Sequence, residues 1–302
     1  MKKVSVIIPT LNAQDTIGKL LEYLSKQHVD ILVIDSSSTD GTLEIVKEYE
    51  VEYIEIAQNE FDHGTTRTLG AKHSSDAEFL IFLTQDALPY NHVSIENLLL
   101  PFQDDSVGAV CGRQIPYPNE TIFGRHLREY NYPDRSHLRS YDDRERYGIK
   151  TPFLSNSFAA YRRSTLEEME FFKEGLIFGE DMYMAAKMLQ LGYKVAYQAD
   201  AVVYHSHSYS YMQELRRYFD MGVFHQKESW LLEDFGKAEG EGKKFVFSQV
   251  KFLLQNGKFY LLPSMGLRTF FKLLGYKLGK NFEKLPKVLI LYFTMNPKWW
   301  KI

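Results

Sequence analysis

The sequence predicts an α/β protein built on a mainly parallel central sheet, and three observations carry that expectation. Short β-branched and aromatic runs alternate with segments of helical periodicity through the first third of the chain. The strand-like runs are nearly continuous in apolar character, which requires a sheet covered on both faces. Three of them end on polar clusters, at Pro9-Thr10, Asp35–Ser38 and Thr84-Gln85-Asp86, where open sheets of this kind bind ligands beyond the carboxyl ends of their strands.

Taken in order, Val4 to Ile8 is a first strand ended by Pro9. Ile17, Leu20, Leu21 and Leu24 then recur at helical spacing, with Asp15 placed to cap. The second strand is ILVID, Ile31 to Asp35, followed by a Ser/Thr/Asp/Gly turn and a helix from about Thr42 to Tyr49. Val51 to Ile56 and Phe79 to Leu83 read as the third and fourth strands, with a helix around Thr66 to Ser74 between them. From Pro116 to Thr151 the alternation is lost, and the stretch reads as loops and a helix over the sheet. Regular structure returns with Phe153 to Tyr161, a helix from Asp181 to Leu191 and a strand near Val195 to Tyr204. The Gly-rich Gly236 to Gly242 reads as a linker. A body over residues 1–236 and an amphipathic helical tail over 237–302 are therefore expected.

An apolar fraction of 44% with 25% charged residues describes a folded chain and excludes disorder. Cys111 is the single cysteine, so no internal disulfide forms and a reducing compartment is expected. MKKVSVIIPT enters a strand at once without signal-peptide anatomy, and no run approaches the ~20 apolar residues of a spanning helix. Neither Gly-x-Gly-x-x-Gly nor a phosphate loop occurs, which argues against a dinucleotide oxidoreductase and a P-loop kinase. The net charge of −3 hides an asymmetry: from Lys237 onward thirteen Lys and Arg face three acidic residues, whereas the rest of the chain carries 23 basic against 36 acidic.

Asp35 ends a buried strand and opens DSSSTDGT. A carboxylate there can accept the imide N–H of uracil or thymine, although turns of this composition also use Asp purely for capping. Asp86 can ligate a divalent cation through oxygen or simply form a turn. Asp181, in Gly179-Glu180-Asp181 at a helix start, reads as an N-cap or as a base held on a rigid element. His205 and His207 lie two residues apart at a strand end and so point the same way on an extended chain.

The order and spacing of these stretches are more specific than any one of them. VSVIIPTLNA, VIDSSSTDGT, FLTQDA, GED and GYKVAYQADAVVYH together resemble the inverting family 2 glycosyltransferases of the GT-A fold, a nucleotide-sugar-binding fold, over roughly residues 3 to 225. FDHGTTRTLGA (Phe61 to Ala71), CGRQ (Cys111 to Gln114) and FLSNSFAAYRRS (Phe153 to Ser164) resemble the rhamnosyltransferase branch, whose donor is dTDP-β-L-rhamnose. The resemblance implies that Pro9, Thr10 and Asp35 contact the nucleoside, that Asp62, His63 and Gln85 line the donor sugar or diphosphate, and that Arg67 is a donor-site cation. It makes Asp86 and His205, or His207 in its place, ligands of Mg²⁺ or Mn²⁺, and Asp181 the base. Arg113, Asn156 and Glu180 are expected at the acceptor or sugar. The first Asp of the family's Asp-x-Asp motif is Thr84 here.

A nucleoside diphosphate is already a good leaving group, so one carboxylate base suffices where a glycosidase needs two. The alternatives are a UDP-hexose donor on the same fold, or a non-catalytic scaffold, against which the retained Asp86, Asp181 and His205 count. Leu267, Phe270, Phe271, Leu274 and Leu278 form a stripe flanked by Arg268, Lys272, Lys277 and Lys280, and Trp299-Trp300 sit among lysines. Such a tail suits an anionic membrane surface, or it packs on the acidic body. The expected partners are thus the dTDP-rhamnose donor, a saccharide or lipid-linked saccharide acceptor and the inner face of the cell membrane, with no nucleic acid.

Overall fold

The computed structural model describes residues 3–301. Its strands are β1 (Val4–Thr10), β2 (Asp30–Asp35), β3 (Glu52–Glu55), β4 (Phe79–Leu83), β5 (Leu88–Pro89), β6 (Val107–Ile115), β7 (His137–Arg139), β8 (Phe158–Arg162) and β9 (Lys194–Tyr204). Between the first strands run α1 (Ile17–Leu24), α2 (Thr42–Glu48) and α3 (His63–His73), then α4 (Ser94–Leu99), α5 (Ile122–Asn131), α6 (Arg144–Tyr147), α7 (Arg163–Glu168) and α8 (Glu180–Gln190). The chain closes with α9 (Tyr211–Lys227), α10 (Trp230–Phe235), α11 (Ala238–Gln255), α12 (Leu262–Lys280) and α13 (Lys287–Phe293).

All strands join one sheet in the order β3-β2-β1-β4-β8-β6-β9-β5, with β7 paired to β9. The first half is parallel, as the βαβ alternation requires. The second half is mixed, because β8 runs antiparallel between β4 and β6, while β6 and β9 are parallel. Successive strand residues face opposite sides, and both sides are dry. Ile7, Ile34, Leu80 and Phe82 pack on one face with Ala185, Met188 and Leu189 of α8, and Val6, Ile8, Val33 and Ile81 on the other with Ile17, Leu20 and Leu21 of α1. This two-sided burial is why the strand runs read as continuous apolar stretches.

Several local expectations are corrected. β1 runs through Pro9 to Thr10, since its ladder with β4 stops at Ile7 and Pro9 lies in the ladder with β2 alone. Asp15 does not cap α1: Thr16 precedes the helix without a side-chain bond, and the Ala13 carbonyl accepts the first N–H groups. α3 starts earlier than its apolar pattern suggested, because Asp62 caps it from the side. The Gly236–Gly242 linker shrinks to a turn at Gly236, whose φ of 92° suits glycine, and α11 continues from Ala238 through Gly240 and Gly242.

The stretch after Gly236 is helical, and it is clasped to the body. Close approach of α12 to α9 requires glycine on both: a Cβ on Gly279 would lie 2.0 Å from the Phe219 carbonyl oxygen, and one on Gly275 2.2 Å from that of Leu215. The expected stripe is therefore split. Phe271 stacks on Tyr211 and Leu278 packs on the body, Arg268 pairs with Glu214 at 2.9 Å, and the outward face of α12 is instead Leu267, Phe270 and Leu273. The end of the chain also turns inward, with Trp299 and Trp300 against the main core.

This seam generates a paired expectation. Gly279→Ala should destabilise the fold by about 2–3 kcal/mol, because overpacking must push two backbones apart. Gly266→Ala on the open side of the same helix, where an added Cβ meets nothing within 4 Å, should stabilise it by up to about 1 kcal/mol through helix propensity. Urea unfolding of the two variants checks both signs.

Candidate functional site

The loops leaving β1, β2 and β4 meet at one end of the sheet, and their polar side chains mostly hold one another. Asp35 is wholly buried and accepts from Thr10 Oγ1 at 3.1 Å, from the Ser38 amide at 2.8 Å and from Ser38 Oγ at 2.6 Å. Asn12 accepts from the Thr39 amide at 2.9 Å and donates its own amide to Ser38 Oγ at 2.8 Å. Gln85 bridges the first and third loops, accepting from the Leu11 amide at 2.7 Å and donating to the Leu11 carbonyl at 3.1 Å. Thr10 and Asp35, expected at the nucleoside, thus belong to one hydrogen-bonded rim at the strand ends, where Gln85 retains one amide N–H.

Beyond that rim Asp86, His205 and His207 converge, with one ligand atom from each lying within 4.8 Å of the others. Both imidazole Nε2 atoms stand 3.5 Å from Asp86 Oδ2, so the sequence's choice between the two histidines dissolves. The tautomer of His205 is set from behind. Its Nδ1 is 2.8 Å from Gln114 Oε1, an oxygen that also accepts from Arg128 at 2.8 Å, so Nδ1 carries the proton and in the neutral ring the Nε2 lone pair is left free for a cation. Burial works against the Asp86 carboxylate, but its polar neighbours His205, His207 and Thr84 outweigh it and hold its pKa well below the ordinary range. Burial likewise pushes both imidazoles down, His207 to about 4, which keeps them neutral. Neutral imidazole and ionised carboxylate are the ligand forms a divalent cation takes.

Beside Asn156, just before β8, lies a pair of adjacent carboxylates, Glu180 and Asp181. Gly179 enters α8 with φ 80°, so Glu180 and Asp181 occupy its first turn, and Asp181 is not the N-cap. Glu180 is buried, 3.0 Å from Arg67 Nη1, and accepts from Asn156 Nδ2 at 3.1 Å. Asp181 is half-buried and accepts from the Asn156 amide at 3.2 Å and the Met182 amide at 2.7 Å. Burial would raise Glu180, yet the Arg67 guanidinium, with His63 and Asn156, holds it below its usual value. Asp181 lacks such a partner: burial, then the charge of Glu180, pushes it up to about 7. Two adjacent carboxylates are thereby divided into a permanent anion and a group poised to exchange a proton near neutrality.

Helix α3 supplies the counter-charge. Asp62 caps it, accepting from the Gly64 and Thr65 amides at 2.9 and 2.8 Å. Arg67, one turn on, is buried and donates to the His63 carbonyl at 3.0 Å and to His63 Nδ1 at 3.3 Å. The expected donor-site cation thus pairs with Glu180, itself expected at the acceptor or sugar, and Asp62 caps its helix. His63 is held neutral by burial, and with Nδ1 accepting from Arg67 its proton sits on Nε2. Asn156 spans both carboxylates and accepts from Tyr161 at 2.6 Å, so its side chain is turned inward beside Asp181. Arg113 follows a register shift between β6 and β9, and its buried Nε has no hydrogen-bond partner.

Sequence reasoning missed Gln114, Arg128 and Ser155. Gln114 Nε2 donates to Ser155 Oγ at 3.0 Å, and Ser155 precedes Asn156, so one polar path runs from the His205 side of the site to Asp181. The CGRQ stretch already contained the signal, because a glutamine ending a buried strand needs partners for both ends of its amide.

The family model described as "Glycosyl transferase family 2" matches residues 5–170. The chain is 46% identical to the O-antigen chain rhamnosyltransferase RfbN of Salmonella typhimurium, over 99% of this chain and 96% of that protein. It is 44% identical to the O-antigen chain rhamnosyltransferase WbaN of Salmonella anatum, again over 99% and 96%. Among solved structures, the mannosyltransferase PcManGT from Pyrobaculum calidifontis, in complex with GDP-Man and Mn²⁺, is similar in fold, with a TM-score of 0.58 at 19% identity over 99% of this chain and 88% of that one.

The buried pair yields a stability test. Arg67→Met removes the guanidinium and leaves Glu180 buried without its counter-charge, which should cost about 3–5 kcal/mol. Adding Glu180→Gln to Arg67→Met should recover most of that loss, and chemical denaturation of the single and double variants reads the difference.

Proposed function

Because the chain belongs to glycosyl transferase family 2, we propose that it transfers L-rhamnose from dTDP-β-L-rhamnose, with inversion, to a hydroxyl of a saccharide acceptor in cell-surface polysaccharide synthesis. The observation that carries the reading is end-to-end similarity, at 46% and 44% identity, to two O-antigen chain rhamnosyltransferases. The division of labour between Glu180 and Asp181 supports it, since direct displacement at an anomeric carbon needs one base.

Asp181 is that base. Its oxygens are fixed by the Asn156 and Met182 amides, and it takes the proton from the acceptor hydroxyl as that oxygen attacks. Raised to about 7, it binds that proton better than an ordinary carboxylate while staying substantially ionised at neutral pH. Asp86 and His205, with His207, fit a divalent cation: one carboxylate oxygen and two imidazole nitrogens form a mixed set suited to Mn²⁺ and compatible with Mg²⁺. When bound there, the cation supplies charge neutralisation to the departing diphosphate. Arg113, His63 Nε2–H and the second amide N–H of Gln85 are donors for sugar or phosphate oxygens, and Pro9, Thr10 and Asp35 shape the seat of the nucleoside's base.

The acceptor is proposed to be lipid-linked and the enzyme peripheral on the inner face of the cell membrane. Among the described residues no helix is long and apolar enough to cross a bilayer. The outer side of the tail helices exposes Phe247, Leu254, Phe259, Leu267, Phe270 and Leu273. Exposed Lys243, Lys251, Lys258 and Lys277 stand on the same helices and turn. Each such lysine near an anionic leaflet is worth about 1 kcal/mol.

Four measurements test this reading. In competition, dTDP-rhamnose should be consumed ahead of UDP-glucose and UDP-N-acetylglucosamine, and Asp181→Asn should lose about 10²–10⁴-fold in turnover while still binding donor. The wild-type rate should climb with pH through about 7 as Asp181 deprotonates; preference for a UDP-hexose would overturn the rhamnose assignment. Separately, the chain should sediment with anionic liposomes at low salt and lose that binding when Phe270 and Leu273 are changed to Ser.

A further inference from the structure

We infer that the C-terminal tail is part of the active-site scaffold: Arg268 and Ser264 brace the loop that carries His205 and His207, and Asn296 braces the loop that delivers Asp181. The assignment of those three residues to metal and base is the one proposed above, and the brace rests on it. A tail that only docked the enzyme would have no reason to bond to either loop, yet it bonds to both.

The first brace lies at α12. Arg268 Nη1 donates to the Tyr209 carbonyl at 2.8 Å and to Glu214 Oε1 at 2.9 Å. Tyr209 follows His207 by two residues, and its ring packs 5.7 Å from the His207 ring. Ser264 Oγ lies 2.8 Å from the hydroxyl of Tyr211, at the start of α9, and Phe271 stacks on the same tyrosine. The connection from the histidines to α9 is only five residues, 206–210. Fixing its far end to α12 limits where the two imidazoles can stand.

The second brace lies at the chain's end. Asp220, buried on α9, accepts from Thr294 Oγ1 at 2.6 Å, the Met295 amide at 2.9 Å and Asn296 Nδ2 at 3.1 Å. Thus anchored, Asn296 gives its other amide proton to the Ile177 carbonyl at 3.2 Å, and Trp299 Nε1 donates to the Gly175 carbonyl at 3.0 Å. Ile177 is three residues before Glu180 and four before Asp181. The intervening Gly179 has φ 80° and sits against Phe224, where an added Cβ would come within 2.9 Å of the ring. The base is therefore aimed by a loop whose outer carbonyls are held by the last residues of the chain.

Because the two braces hold different groups, they make separable predictions. Arg268→Lys keeps a cation beside Glu214 but shortens the reach to Tyr209. Mn²⁺ affinity, read by electron paramagnetic resonance without donor or turnover, should weaken by about threefold to tenfold, with a matching rise in donor KM. Asn296→Ala should leave Mn²⁺ affinity and donor KM unchanged and lower kcat by about threefold to tenfold, because it disturbs only the aim of the base. Should Arg268→Lys fail to fold, Ser264→Ala removes a neutral contact of the same brace and is expected to shift Mn²⁺ affinity in the same direction. The inference is overturned if the folded variants stay within about twofold of wild type in both readouts, or if affinity and kcat fall together in step with melting temperature. Failure of wild type to bind Mn²⁺ would instead sink the metal assignment and the first brace with it, while Asn296→Ala still decides the second.

Discussion

The Arg67–Glu180 ion pair, 3.0 Å long and closed off from water, is the contact on which the site's chemistry depends. It draws α3 to the first turn of α8 across one face of the sheet. It also keeps Glu180 charged where burial alone would neutralise it, and that fixed charge, added to burial, raises its neighbour Asp181. Asn156 completes the arrangement by giving its side chain to Glu180 and its backbone to Asp181. A buried pair of this kind adds little net stability over an apolar replacement, but breaking it is costly, so it specifies geometry more than it supplies energy.

A comparable logic governs the other half of the site. Gln114 presents one oxygen to two donors, His205 Nδ1 and Arg128, and that fixes which nitrogen of His205 is bare. Its amide nitrogen holds Ser155, next to Asn156. The metal-type cluster and Asp181 are thus joined by one path of hydrogen bonds. Helix α9 then carries the tail against this framework, and the glycines at 222, 275 and 279 let the two backbones meet closely enough for the bonds of Arg268 and Asn296 to form.

Much of this was legible in the residues. The parallel first half of the sheet followed from the alternation, because a strand buried on both faces must be apolar throughout. Asp35, Asp86 and Asp181 stood out as carboxylates at strand ends and a helix start. The resemblance offered Arg67 as a donor-site cation with Glu180 at the acceptor or sugar; 113 positions separate them, and nothing local shows that they pair with each other. The tail's apolar stripe was recognised by its period, but periodicity does not say which part of a broad stripe faces the body. Gly275 and Gly279 decided that, by allowing one side of α12 to approach α9 and leaving Leu267, Phe270 and Leu273 outside.

The sequence by itself determined the fold class, the family and the identity of the groups able to do chemistry, because these depend on periodicity and on short motifs that survive without knowledge of contacts. Tertiary structure alone decided what each charge is for. A carboxylate's proton affinity depends on burial and on neighbours brought in from distant parts of the chain, and an imidazole's free nitrogen depends on what its other nitrogen touches. Those partners meet only when the sheet closes and α3, α8 and α9 are packed upon it.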